Sequence, residues 1–370
     1  MWVAAEHASP RAGRTVKDAV RYVVGVAVGA VVLVLLFGKR GELAASWRQL
    51  GQVKAGWVAC AVTAEAASLW TFAYLQHKVL RLSGARIAVP SLFLLSLAND
   101  AIAITVPGEP AVSSAYRFQY YRRHGASGAS AGWTIFTILI AQAIAMSVLL
   151  LVGVIVALAA STSLIGAGVM ILGLVVVIGA GAVLVRRDLV LRLAGAMVRA
   201  VRLVTGRPRG RVGARIESTF ARMSEIPLSP TSTAEVVGIA LGIWCCDFLC
   251  LVCSFRAVGG TIPWGGVLVA YGAAQVVGSL PIVPGGLGIV EGSLAVILVA
   301  YGADRVSALA ATIAFRLVNF WLAIAVGWLA VAVIAHQRRR LERRAHPTAE
   351  PAMDVVAPPP SEASTQSTQS

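Results

Sequence analysis

The stretch SLPIVPGGLGIVEGSL, residues 279–294, interrupts an apolar run that is otherwise suited to crossing a membrane. Two prolines and three glycines are concentrated between Pro281 and Gly288, and both residue types break helices. Glu291 follows the break closely, although an acidic side chain at membrane depth is unfavourable and usually functional. The stretch therefore predicts a helix that is broken inside the membrane to form a binding site. The structural alternative is a kink that serves only helix packing.

The composition is that of a membrane protein with several spans. Of the 370 residues, 58% are hydrophobic and 13% are charged, and the mean hydropathy is +0.78. A soluble domain of this length would need more polar surface. Successive runs of about 20 apolar residues are instead typical of transmembrane helices. We therefore expect an all-α polytopic membrane protein.

Six apolar runs are long enough to be full spans, and two others are interrupted. The full spans are predicted at 20–38, 55–75, 133–158, 164–185, 234–253 and 306–335. The first interrupted run, 87–106, is followed by the polar segment PGEPAVSSAYRFQYYRRHGAS. The second, 264–280, is followed by the proline-glycine break and a short apolar segment at 289–301. Because irregular backbone at membrane depth is tolerated where protein covers it, we predict about six full spans plus two re-entrant broken hairpins.

Most of the positive charge lies in loops beside the apolar runs. The net charge is +15, and the loop at 186–233 holds ten arginines against three acidic residues. Loops rich in Lys and Arg stay in the cytoplasm, so we expect this loop and both termini there. The charge also favours contact with anionic lipid headgroups, and without a soluble basic module we expect no nucleic-acid binding. The loop at 39–54, which this topology places outside, is also basic and fits least well.

The chain is therefore expected to have three parts. Residues 1–19 form a cytoplasmic N-terminal segment, and 20–336 form the membrane domain. Residues 337–370 are first basic and then rich in Pro and Ser. This tail is expected to be cytoplasmic and disordered, because its composition cannot bury an apolar core.

The two interrupted runs indicate an internal repeat. A shift of about 177 residues places Pro107 on Pro284 and brings the neighbouring spans into approximate register. Each half then consists of a span, a broken hairpin and a second span, and the halves start on opposite sides of the membrane. Inverted repeats with broken helices that face a midplane site are a transporter architecture. The alternative is a coincidence of spacing in a chain made of helices.

Polar groups at membrane depth are the candidates for a binding site. A helix that begins at the midplane presents free N–H groups and partial positive charge, which can hold a lipid phosphate. Arg316 could pair with Asp247 or Glu291, or bind a phosphate directly. Asn319 and Gln142 are expected to form interhelical hydrogen bonds. The predicted substrate-binding residues are Asp100, Gly108, Glu109, Asp247, Pro284, Gly285, Gly286, Gly288, Glu291 and Arg316.

The five cysteines all lie in apolar spans, so a disulfide framework is not expected. Cys246, Cys250 and Cys253 recur on one helical face and could in principle ligate a metal. No histidine lies near them, and packing of small apolar side chains is the favoured interpretation. We therefore expect neither a metal nor a cofactor.

Two segments near the C-terminus resemble a known family. PIVPGGLGIVEGSL at 281–294 and AFRLVNFWLAIAVGW at 314–328 are similar to the signature of the lysylphosphatidylglycerol synthase transmembrane region. LANDAIAITVPGEPAVSSAYRFQYYRRHGAS at 97–127 resembles the first hairpin of that family, and LGIWCCDFLCLVCSFRAVGG at 241–260 resembles the span before the second. The resemblance covers roughly residues 20–336.

The resemblance implies a flippase-like lipid translocase in a bacterial plasma membrane. Its substrate would be an aminoacylated or another polar phospholipid, and its partners anionic membrane phospholipids. The synthases carry an aminoacyl-transferase domain after the membrane region, whereas only about 35 polar residues follow the last span here. We therefore do not expect enzymatic aminoacyl transfer.

Two alternatives remain open. The chain could be an accessory membrane subunit of a lipid-modifying synthase or glycosyltransferase, which would then be its protein partner. It could also be a membrane transferase itself, which would need a soluble catalytic face with paired acids and a metal or nucleotide site. The Arg-rich loop and the lack of a Walker-type phosphate loop favour translocation over the transferase.

Overall fold

The computed structural model of the chain describes residues 51, 53–105, 111–160, 229–279 and 286–345. Within these residues all regular structure is helical, as the sequence predicts. The helices, numbered here in chain order, are α1 (Ala55–Leu82), α2 (Val89–Thr105), α3 (Ala111–Arg123), α4 (Gly128–Ala160), α5 (Pro230–Ala257), α6 (Val267–Gly278), α7 (Ile289–Ala300), α8 (Arg305–Arg316), a π-helix (Leu317–Leu322) and α9 (Ala323–Ala345).

Four helical segments in the described part of the chain are long and apolar enough to cross a membrane. They are α1, α4, α5 and the continuous run Arg305–His336, and they fall on four of the six predicted spans. Each begins or ends a few residues beyond its predicted bounds. The predicted spans at 20–38 and 164–185, the loop at 186–228 and the tail from 346 lie outside the described residues.

The starts of the later helices follow from local capping. Ser229 accepts a hydrogen bond from the Ser232 N–H (3.1 Å), and Pro230 occupies the first position of α5. Asp304 accepts one from the Ser307 N–H (3.0 Å) at the start of α8. Ser and Asp at the N-cap satisfy N–H groups that a helix start leaves free, and proline at the first position has none to satisfy.

The described helices form two sets with the same order. In α1–α4 and again from α5 to α9, a long helix is followed by two short helices and another long segment. The first residues of α5, α6, α7 and α8 lie 175, 178, 178 and 177 residues after those of α1, α2, α3 and α4. These offsets are close to the shift of about 177 residues that the sequence indicates. The inverted repeat itself, with halves of opposite membrane orientation, and the re-entrant course of the short helices stay predictions.

Polar contacts close the first pair of short helices. In the amide orientation that satisfies its neighbours, Asn99 on α2 donates to the Ser113 carbonyl (2.9 Å) and accepts from Arg117 Nη2 (2.7 Å) on α3. From α3, the Tyr121 hydroxyl also donates a hydrogen bond to Gln76 of α1 (2.6 Å). Through these contacts, polar side chains of α3 have hydrogen-bond partners on α1 and α2.

Helix α5 lies at the centre of the packing. It runs along α1 and also contacts α4, α8 and the π-helix, while α6 and α7 pack against each other. Large side chains that are almost fully buried fill this core: Phe255, Tyr271, Leu294, Leu298 and Phe315. Other apolar side chains point outward, among them Leu139 and Leu329, each 67% exposed. Outward apolar side chains on long helices are expected where the surrounding solvent is lipid.

One glycine allows α2 and α9 to approach each other closely. A Cβ atom at Gly327 would clash with the Leu97 carbonyl oxygen and would lie 2.6 Å from Ala101 Cβ. Small residues at such crossings let helix backbones come together in membranes. The position of α2 therefore depends on Gly327.

We expect Gly327→Ala to lower the free energy of unfolding by about 1–3 kcal/mol, because the extra methyl group meets backbone that cannot move alone. The measurement is denaturant unfolding of the purified protein in detergent. Gly238→Ala in α5 is the matched control, since nothing lies within 4 Å of its Cβ position. Equal stability of the two variants would contradict the close approach of α2 and α9.

Candidate functional site

The site is centred on an ion pair between α7 and α8. Arg316 is the last residue of α8 and Glu291 lies in the first turn of α7. Arg316 Nε donates to Glu291 Oε1 at 2.6 Å, and the two side chains are only 8% and 14% exposed. Of the alternatives that the sequence left open for Arg316, the structure has the pair with Glu291.

The same carboxylate caps its own helix. Glu291 Oε2 accepts a hydrogen bond from the Gly288 N–H at 2.7 Å. Gly288 has φ +80° and Gly286 has φ +61°, a left-handed backbone that glycine adopts without steric penalty. At Gly286 a Cβ atom would also lie 2.7 Å from Val290 Cγ2. The glycines after the break are therefore required for Glu291 to reach back over the start of α7.

This capping modifies the expected anion site. The sequence predicts that the N-terminus of α7 holds a lipid phosphate. In the structure an N–H at that terminus is bound by Glu291 itself. A phosphate could use this N–H group only after the carboxylate moves.

The polypeptide changes its helical pitch directly after Arg316. Residues Leu317–Leu322 form a π-helix, a rare geometry that occurs mostly as short insertions near functional sites. The Arg316 guanidinium lies 4.1 Å from the centroid of the Phe320 ring in this segment, which is a favourable cation–π distance. The π-helix thus contacts Arg316 through the Phe320 ring.

A second group of polar side chains lies beside the ion pair, and we call it the polar cluster: Glu65, Asp247, Tyr271, Gln275 and Asn319. Asn319 Nδ2, from the π-helix, donates to Asp247 Oδ1 at 2.6 Å and lies 3.3 Å from each Glu65 carboxyl oxygen. Asp247 Oδ2 accepts from the Tyr271 hydroxyl and from Gln275 Nε2 at 3.1 Å. The cluster joins α1, α5, α6 and the π-helix.

The two acids of the polar cluster are deeply buried. Glu65 is 8% exposed and Asp247 is 4% exposed. Both carboxyl groups accept from the same Asn319 amide, so they are neighbours, and Arg316 lies within electrostatic range of Asp247. The ion pair and the neighbouring polar cluster are together called the polar region.

The structure brings together only part of the predicted site. Glu291, Arg316, Asp247, Gly286 and Gly288 all lie in or beside this region, whereas Asp100 is half-buried on α2 within electrostatic range of Glu65. Four predicted residues lie outside the described residues: Gly108, Glu109, Pro284 and Gly285.

The predicted substrate-binding residues do not include Glu65, Tyr271 or Gln275. Glu65 is an acidic residue within an apolar run, but no sequence pattern indicates that it lies near Asp247. Tyr271 and Gln275 are four residues apart on α6, so they share one face of that helix. Two polar side chains at this spacing in an apolar helix were the available signal.

An apolar groove of about 410 Å³ opens beside the polar region. It is lined by Gly51, Val53, Val58, Ala61, Ser254, Ala257, Ala314, Leu317 and Val318. Leu317 and Val318 belong to the π-helix and follow Arg316 directly in the chain. The groove and the ion pair are thus adjacent along the chain at the start of the π-helix.

Two of the five cysteines contribute to packing in this part of the fold. Cys250 and Cys253 are 0% and 4% exposed and belong to the apolar core. No group of three His, Cys, Asp or Glu side chains with metal-site geometry occurs in the described segments.

We expect Arg316→Met to lower the free energy of unfolding by about 3–5 kcal/mol, because it leaves the buried Glu291 carboxylate without its cation. Adding Glu291→Gln should recover much of this loss. Lys78→Met is the matched control. It breaks an exposed pair with Glu235, in which Lys78 Nζ and Glu235 Oε2 are 2.7 Å apart and the side chains are 32% and 56% exposed. Such pairs contribute about 0–1 kcal/mol.

The same denaturant titration in detergent measures all of these variants. Similar losses for Arg316→Met and Lys78→Met would contradict a buried ion pair at this site.

Comparison with known proteins gives one finding for the chain as a whole. A family model described as the lysylphosphatidylglycerol synthase TM region matches residues 22–327. The matched segment includes α1–α8, the π-helix and every residue of the polar cluster. Among curated proteins, none matches the chain significantly.

Proposed function

The chain belongs to the family of the lysylphosphatidylglycerol synthase transmembrane region, and from this premise we propose that it moves a polar phospholipid between membrane leaflets. The site of headgroup binding is the Glu291–Arg316 pair. The chain is a multi-pass membrane protein of a family whose name concerns an aminoacylated phospholipid. The observation that carries the proposal is a buried ion pair at the broken start of α7.

A pair of opposite charges matches a headgroup that carries both charges. An aminoacylated phospholipid has an anionic phosphate and at least one cationic amine. Arginine binds phosphate with several directed donors, and a carboxylate binds an amine. Separating a buried ion pair leaves two unsatisfied charges and is strongly unfavourable. A zwitterionic headgroup removes this penalty because it supplies a new partner to each side chain.

Because Glu291 also caps α7, its pairing with a headgroup amine has a second consequence. When Glu291 turns to an amine, it releases the Gly288 N–H that it now binds. The start of α7 then offers its N–H group and partial positive charge to the phosphate. One movement of the Glu291 side chain thus exposes both the guanidinium and the helix start.

The apolar groove supports a lipid as the ligand. Its volume of about 410 Å³ lies within the ordinary range of small-molecule pockets, which is about 300–1,000 Å³. Leu317 and Val318 place it next to Arg316, so a ligand that uses both would be polar at one end and apolar at the other. A phospholipid has this character, with an acyl chain for the groove.

We expect purified protein in liposomes to move a fluorescent aminoacylated phospholipid between leaflets. The double variant Glu291→Gln/Arg316→Gln should move this lipid at least tenfold more slowly than wild type. The variant removes both charges together, so it should stay folded, because a neutral polar pair leaves no unpaired charge. Dithionite quenching of the outer-leaflet fluorophore measures the movement. Size-exclusion chromatography of the same preparation measures the fold.

Lys78→Gln/Glu235→Gln is the matched control, since it also neutralises one ion pair but at the exposed surface. It should move lipid at the wild-type rate. If folded wild type moves no lipid, the proposal is wrong, and an accessory role beside a lipid-modifying enzyme becomes the better hypothesis. Equal rates in the double variant and wild type would exclude the ion pair as the headgroup site.

A further inference from the structure

We propose that Glu65 holds a proton and donates it in a hydrogen bond to the Asp247 carboxylate, so that these two residues form a proton-dependent latch between α1, α5 and the π-helix. The proton assignment stands without the proposed function. Only the effect of the latch on lipid movement rests on that function.

The hydrogen-bond donors are distributed unequally between the two acids. Asp247 accepts from Tyr271, Gln275 and Asn319. Glu65 is approached only by the Asn319 amide among the described hydrogen bonds, at 3.3 Å from each oxygen. Donors stabilise the ionised form of a carboxyl group. The geometry therefore favours Asp247 as the carboxylate and Glu65 as the acid.

Two buried carboxyl groups that share the Asn319 amide favour a proton between them. Two ionised carboxylates that share one site repel each other, and such pairs are stable when one proton is shared. A carboxylic O–H beside a carboxylate also forms a strong, charge-assisted hydrogen bond. At 8% and 4% exposure, water can contribute little to relieving the repulsion.

The surrounding charged groups favour the same assignment. Arg316 on α8 lies within range of Asp247 and stabilises negative charge there. Asp100 on α2 lies within range of Glu65 and disfavours a second negative charge. The other titratable groups near the latch are Tyr271 on α6 and Cys246 and Cys250 on α5.

Loss of the proton would act on the π-helix. With both acids ionised, Glu65 and Asp247 would compete for the Asn319 amide, and Arg316, which lies within electrostatic range of Asp247, would be drawn toward the two negative charges. Arg316 lies three residues before Asn319 at the entrance of the same segment. The latch therefore sets how firmly Arg316 is held on Glu291. It thereby sets how easily this ion pair opens to bind a headgroup.

Infrared spectroscopy of full-length protein in vesicles at neutral pH tests the proton assignment. The spectrum of wild type minus Glu65→Gln is expected to contain the C=O band of a protonated carboxylic acid. The matched control is Glu291→Gln, whose side chain pairs with Arg316. Its difference spectrum should show the loss of an ionised carboxylate instead. A wild-type minus Glu65→Gln spectrum that shows a lost ionised carboxylate would overturn the proposal.

Isotope labelling provides the same test without relying on a variant alone. Incorporation of glutamate with a ¹³C side-chain carboxyl should shift the protonated band, and labelled aspartate should not. A shift of the band with labelled aspartate only would assign the proton to Asp247 instead of Glu65 and overturn the proposal. Glutamine mimics a protonated glutamate, so Glu65→Gln should also fold. Failure of this variant to fold would likewise count against a protonated Glu65.

The coupling is tested by lipid movement at several pH values. We expect wild type to change its rate with pH and Glu65→Gln to lose this dependence, while Glu235→Gln behaves as wild type. An unchanged pH dependence in Glu65→Gln would overturn the coupling. Absence of movement in wild type would instead refute the proposed function, and the infrared band would still decide the proton assignment.

Discussion

A charge inside a membrane needs a partner that the protein itself supplies, and the Glu291–Arg316 ion pair meets this constraint at 2.6 Å. Most features of the second half of the fold serve that contact. The glycines at 286 and 288 allow the chain to turn so that Glu291 caps α7. The π-helix begins at the residue after Arg316 and places Phe320 against its guanidinium. A buried pair of this kind is weak as a stabilising element, and this is why we propose that a ligand replaces it.

The polar cluster connects that site to the rest of the protein. Asn319 reaches from the π-helix to the central helices α1 and α5, and Tyr271 reaches Asp247 from α6. Arg316 and Asn319 are separated by less than one turn, so a change in the acids of the cluster is transmitted through very few bonds. The buried Asp247 carboxylate on α5 thus accepts hydrogen bonds from α6 and from the π-helix, beside the ion pair.

The sequence predicted helices and their order better than contacts between them. Apolar runs located four spans, and the break located the start of α7 at residue 289, because proline and glycine have local effects. The pairing of Glu291 with Arg316 was one of several open choices. The meeting of Glu65 and Asp247 was not predictable, since it depends on how α1 packs on α5. The π-helix has no compositional signal. Helix α1 continues beyond its predicted apolar run to include Lys78 and Arg81, because a helix can extend past the hydrocarbon region.

The most direct measurement is a cryo-EM structure of the protein in nanodiscs that contain lysylphosphatidylglycerol. We expect headgroup density at the start of α7, with phosphate on the Arg316 guanidinium, the amine on Glu291, and the ion pair opened. An acyl chain should lie along Leu317 and Val318. An intact Glu291–Arg316 pair in a lipid-bound structure, with the headgroup held elsewhere, would contradict the proposed headgroup site.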